Sequence, residues 1–170
     1  MSYESLTRLG RMILLLAIQL MVMNNIHLFG YATPLLIGYM ILCFRCSSSR
    51  ITLIVWGFVT GFIFDLFSNT MGMGMASMTL LGFIQPYLLQ RFMPKDETDK
   101  FRPTLRTMGL TNYILYALSA LFVLHFAFYF LEAFSLSKFL LTFAAILVGT
   151  LVSTFLSLLI ELIANEGKSE

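Results

Sequence analysis

The chain has 170 residues, a formal net charge of +2, and a composition that is 58% hydrophobic and only 12% charged, against about 25% charged in a soluble domain. With a mean hydropathy of +0.84, this is the composition of an integral membrane protein. It excludes a separate soluble domain, because the apolar runs consume most of the length, and a nucleic-acid partner is not expected.

A bilayer core about 30 Å thick is crossed by roughly 17 to 25 helical residues. Runs of that kind predict an all-α bundle of six transmembrane helices in one membrane domain, at about 10–28, 29–44, 51–67, 71–90, 109–131 and 139–163, with a hydrophilic connection at 91–108. The first run follows Arg8 and Arg11. Only Met23, Asn24, Asn25, Ile26 and His27 come after it, with no small-residue cleavage site, so it is expected to remain as the first helix. In the second run, Gly30, Thr33 and Pro34 leave a continuous apolar stretch from Leu35 to Phe44, a length that also suits a re-entrant segment.

Charge favours six crossings with both termini in the cytoplasm. Every Lys and Arg except Lys138 then falls inside, whereas a re-entrant second segment also moves Arg8 and Arg11 outside. In this orientation Lys100 and Lys168 face the cytoplasm and Ser135 the exterior. The connection from Arg91 to Arg106 holds Pro94, Asp96, Glu97, Asp99 and Pro103. It reads as a charged loop at anionic lipid headgroups, or as a docking loop for a partner.

Cys43 and Cys46 form a CxxC at the end of the second run. Zinc needs four ligands, and His27 and His125 fall on the opposite side of the expected membrane, so reduced thiols are the simpler reading. The chain has no phosphate-cradling glycine loop, HExxH or GxSxG. No catalytic residue, metal or cofactor is expected.

Asp65 ends the run from Trp56 to Phe64. A carboxylate there costs about 2.5–3.5 kcal/mol on insertion scales, and the last turn of a helix is its unfavourable end for a negative charge. It therefore requires specific donors. Ser68, Asn69 or Thr70 is expected to cap the helix that starts near Met71, and one of them, or His125, to donate to the carboxylate. Counting 1.5 Å per residue places Asp65 about 22 Å beyond Arg50, in the outer leaflet, and His125 reaches a similar depth. His125, Tyr129 and Glu132 share a helical face, and His27 closes the first helix on the same side, so His27, His125 and Tyr129 form a candidate polar cluster. Gly57, Gly61 and Asp65 recur every four residues, as do Ala145, Gly149, Ser153 and Ser157. Such faces admit a second helix at close range, in the monomer or in a partner.

The hairpin of Gly57, Gly61, Asp65, Gly72, Gly74 and Gly82, followed by Gln85, Pro86 and Tyr87, resembles the MreD family of bacterial rod-shape-determining membrane proteins. The proline near the start of the second run fits the same pattern, and the resemblance covers residues 30–92. It implies a non-enzymatic scaffold in cell elongation that binds an MreC-type membrane protein. Through it the chain would reach the actin-like MreB filaments, a RodA-type glycosyltransferase and a class B penicillin-binding transpeptidase. It also implies the six-helix fold of ECF transporter substrate-binding components. The main alternative is therefore a vitamin-type uptake component with an outer pocket lined by Trp56, Asp65 and His125. A small membrane enzyme is the third class.

Overall fold

Apolar runs separated by capping and turn residues fold into seven helices among the described residues, which are 3–21, 33–70, 72–94, 101–132 and 139–166 of a computed structural model. They are α1 (Tyr3–Met21), α2 (Gly38–Leu42), α3 (Arg50–Ser68), α4 (Met73–Phe92), α5 (Leu105–Met108), α6 (Leu110–Glu132) and α7 (Phe139–Glu166). The long helices pack in the order α3, α4, α6, α7, with α1 against α3. Residues 22–32, with Asn24, Asn25 and His27, lie outside the described set, as do Lys100, Ser135, Lys138 and Lys168.

Ser49 opens α3: it is extended, and its Oγ accepts from the Thr52 N–H at 3.1 Å, a side-chain bond to one of the donors that a helix start leaves free. Asn69 closes the helix in the left-handed conformation (φ 55°) and Gly72 opens α4 at φ 86°, so the chain reverses in a few residues. The two helices then run with their backbones in contact. A Cβ added at Gly61 would stand 2.5 Å from the Gly74 carbonyl oxygen and 2.6 Å from Met75 Cα, and one at Gly82 would stand 2.5 Å from the Leu53 carbonyl oxygen. Gly57 meets the Met78 carbonyl in the same way. Because the obstacle is backbone, it cannot step aside as a side chain does. Gly61→Leu is expected to destabilise the fold by at least about 3 kcal/mol, the upper part of the range for overpacking. The measurement is folded yield and apparent Tm in detergent, and parental values would refute the contact.

Over its described residues, 33–44, the expected second span is not a continuous helix. Among these only Gly38–Leu42 is helical, and Thr33 to Leu35 are irregular. Pro34 has no N–H to give a helix and biases the residue before it away from helical geometry. The segment is nevertheless central: Leu35, Leu36, Ile37, Ile41 and Leu42 are all almost fully buried. It enters beside Tyr129 of α6 and reaches Tyr116 at Leu42, about 20 Å along that helix. Beyond it, the Cys46 N–H donates to the Phe101 carbonyl at 3.0 Å. Irregular backbone at such depth is tolerated only where protein groups replace water.

Among the described residues, three helices are long and apolar enough to cross a membrane: Arg50–Ser68, Leu110–Glu132 and Leu140–Ala164. Six separate spanning helices are not found. α4 has 20 residues, but Ser77, Thr79, Gln85, Gln90 and Arg91 dilute its apolar character. The apolar stretch of α1 is only Met12–Met21. The connection expected at 91–108 is shorter, because α4 continues to Phe92 and Thr104 and Thr107 cap each other to start the single turn α5. Outward faces are apolar. Phe122, Phe126 and Phe130 stack along α6, Phe58 and Phe62 stack along α3, and Phe130 is 67% exposed. Such a surface belongs against lipid or another apolar helix.

Candidate functional site

Two sets of polar side chains lie inside this apolar bundle. The first is centred on Asp65, which is 7% exposed. Its Oδ1 accepts from the Gly74 N–H at 2.8 Å and from the Thr70 hydroxyl, and its Oδ2 accepts from the Met75 N–H at 2.8 Å. The carboxylate thus caps the positive end of α4 from the last turn of α3, and the charge that is misplaced on one helix is well placed for the next. Ser68, Asn69 and Thr70 do not cap α4, since the cap position is Gly72 with no side-chain bond. Thr70 is the donor to Asp65 among the expected ones, and His125 is not. Gly74 makes room, because a Cβ there would lie 2.6 Å from the Phe64 ring and 2.7 Å from Asp65 Oδ1. A shallow depression of about 320 Å³ borders the clamp, lined by Phe62, Asp65, Leu66, Asn69, Gly72 and Met75.

The second set holds the buried segment. The Gln19 side chain of α1, fully buried, behaves like a neighbouring strand: its Nε2 donates to the Pro34 carbonyl at 2.9 Å and its Oε1 accepts from the Leu36 N–H at 2.7 Å. Between these bonds, the Leu35 N–H donates to His125 Nε2 at 3.3 Å. The other ring nitrogen, Nδ1, lies 2.8 Å from the Leu121 carbonyl. Since a carbonyl can only accept, Nδ1 carries the proton and Nε2 is left as the acceptor. Tyr129 accepts from the Thr33 N–H at 2.7 Å and donates to the Thr33 carbonyl at 3.2 Å. At the far end, Tyr116 donates to the Leu42 carbonyl at 3.2 Å and accepts from Gln85 Nε2 at 2.8 Å.

His125 and Tyr129 come together as expected from their spacing, with rings stacked at 6.2 Å, but they serve the chain's own backbone. The small-residue face of α7 has a matching use. A Cβ at Gly149 would meet His125 Cδ2 at 2.6 Å, and Ser153 Oγ lies 3.3 Å from His125 Nε2. Ala145 and Ser157 are buried on the same face. Its glycine admits an imidazole, where close approach of a helix backbone was expected.

Trp56, Asp65 and His125 do not converge. Trp56 packs on Phe44 at 6.4 Å, Asp65 on α4, and His125 on Leu35. Cys43 and Cys46 form no disulfide, and among the described residues no three His, Cys, Asp or Glu side chains gather at metal-binding range. Gln19, Tyr116 and Glu161 escaped the sequence reading, and Gln85 entered it only as a member of the hairpin pattern. Glu161 carried a legible signal, an acid within an apolar run, as Asp65 did. No family model, curated protein or solved structure matches this chain.

Proposed function

We propose that this chain is a non-enzymatic membrane scaffold of the bacterial cell-elongation complex, of the kind represented by MreD, which binds an MreC-type partner and helps regulate cell shape and peptidoglycan synthesis. One observation carries the reading. Gly57, Gly61, Asp65, Gly74 and Gly82, on which the resemblance rests, all lie where α3 and α4 touch or are clamped, and Gly72 makes the turn between them. A pattern whose members share one physical task supports a fold signature over chance enrichment in small residues. The buried polar groups support the same view, since Asp65, Gln19, His125 and Tyr129 are engaged with the chain's own backbone. Recognition then falls to the outward apolar faces and the basic connection before α6.

In this reading the chain crosses the inner membrane six times, the buried segment 33–46 being the second crossing, with both termini in the cytoplasm. The distribution of Lys and Arg supports this orientation. So does the meeting of Leu14, Arg102, Arg106 and Ala164 around one cavity, which sets the middle of α1 and the last turns of α7 beside the α4–α6 connection.

The test is purification in mild detergent from cells that express a tagged MreC-type protein. Co-purification, together with rescue of rod shape in a strain depleted of its own scaffold, is the expected result. In a chain with Cys43 and Cys46 replaced by Ser, Ser47→Cys should react only from the cytoplasm and Glu132→Cys only from outside. An intact, folded chain that neither retains the partner nor restores shape would sink the proposal.

A further inference from the structure

Tyr87 closes the hairpin pattern, yet it is exposed and fills no place in the core. It holds a cation instead. Arg50 Nη1 donates to the Tyr87 hydroxyl at 2.8 Å, and the guanidinium carbon lies 4.8 Å from the centre of the same ring, so the first side chain of α3 is fixed against α4. The hydroxyl is neutral, and a guanidinium has five N–H donors, of which this bond takes one. Arg91 follows Tyr87 by four residues, on the same face of α4, and is also exposed. In the other direction that face continues with Phe83, which tilts against Tyr87 at 6.1 Å, and with Leu80, both exposed. Over about three turns the surface therefore passes from aliphatic through aromatic and phenolic to cationic. The cations stand at the end of a helix, Arg50–Ser68, that is long and apolar enough to cross a membrane.

We infer that this strip of α4, with Arg50 beside it, binds an anionic phospholipid of the phosphatidylglycerol type. The phosphate meets Arg50 and Arg91, and the first part of an acyl chain lies along Phe83 and Leu80. The order of polarity selects a lipid, because a phospholipid carries the same sequence of groups from tail to headgroup. A soluble acidic peptide would satisfy the arginines but leave the apolar part of the strip uncovered. Charge selects the headgroup: phosphatidylglycerol adds only negative charge, whereas phosphatidylethanolamine brings an ammonium up to two guanidinium groups. Tyr87 is a positioning residue. An arginine stacked on a ring and tied at one nitrogen presents its other N–H groups in a set direction, and less freedom is lost when a phosphate arrives. The inference rests on the hairpin alone and does not depend on the elongation-complex reading.

The experiment is native mass spectrometry of the delipidated full chain, given phosphatidylglycerol and phosphatidylethanolamine in equal amounts. The parent should retain phosphatidylglycerol in preference by about fivefold, and Arg50→Ala should lower its retention by about fivefold, the effect of one basic residue at a membrane surface. Tyr87→Phe keeps the ring but removes the hydroxyl that ties Arg50, and should lower retention by about threefold. Because Tyr87 acts through Arg50, the double variant should bind no worse than Arg50→Ala. Arg106→Ala removes an exposed arginine of α5 and should leave the preference unchanged. If Arg50→Ala does not fold, Tyr87→Phe and the parent's preference carry the test. Equal retention of the two lipids by the parent overturns the inference, as does undiminished retention in folded Tyr87→Phe. An equal loss in Arg106→Ala overturns it too, since the attraction would then be diffuse. So does displacement of the bound lipid by an equimolar amount of glycerol phosphate, because the occupant would then be a free anion.

Discussion

Asp65→Ala is expected to lower stability by on the order of 4 kcal/mol, because it strips the acceptor from the Gly74 and Met75 N–H groups and from the Thr70 hydroxyl together, and a buried donor left unsatisfied costs about 1–3 kcal/mol. Asp65→Asn should lie between alanine and the parent. Its carbonyl oxygen can still serve Gly74 and Thr70, but its amide group would point N–H donors at the Met75 N–H, and the charge that complements the α4 dipole is gone. Folded yield and apparent Tm in detergent should therefore rank parent, Asn, Ala. An acid that carries protons or acts as a general base behaves differently, since Asn and Ala would abolish its function equally while folding and partner binding survive. That pattern would revive a transport or catalytic role.

The second large effect is expected at Gln19. Gln19→Leu raises the apolar content of a buried helix face, and a ledger of hydrophobicity alone would score it as stabilising. The structure predicts the reverse, because the Pro34 carbonyl and the Leu36 N–H would be left in an apolar interior with no partner. Two such groups cost about 2–6 kcal/mol in sum. Gln19→Glu should also fail in part, since it keeps an acceptor for Leu36 but sets an oxygen against the Pro34 carbonyl. Hydrogen exchange at the Leu36 amide reports the lesion directly, with faster exchange in both variants than in the parent. A Gln19→Leu chain as stable as the parent, with Leu36 still protected, would mean that the segment is not held by this amide.

Both expectations rest on polar groups whose types are visible in the sequence and whose partners are not. A carboxylate at the end of an apolar run must be satisfied, and that much follows from position alone. That its donors are the first backbone amides of the following helix depends on how sharply Asn69 and Gly72 turn the chain and on Gly74 having no side chain. The glycine spacing at Gly57 and Gly61 announced a close approach, and the partner is the adjacent helix of the same hairpin. The similar spacing at Ala145, Gly149 and Ser153 announced the same thing, yet it accommodates a histidine. A bare helix face specifies room, and only the packing of neighbouring helices decides what fills it.

By itself, the sequence determined the class of this protein. Its apolar content, the long runs of α3, α6 and α7 and the tight hairpin follow from local chemistry, because helix formation and turn geometry are settled within a few residues. Only the tertiary structure decided the fate of residues 33–42. An apolar stretch interrupted by Pro34 is compatible with a continuous helix or with irregular buried backbone, and hydropathy does not distinguish them. The choice is made by donors and acceptors far away in the chain, Gln19 on α1 and Tyr116, His125 and Tyr129 on α6. An irregular backbone can enter an apolar interior only where such groups already stand to receive it.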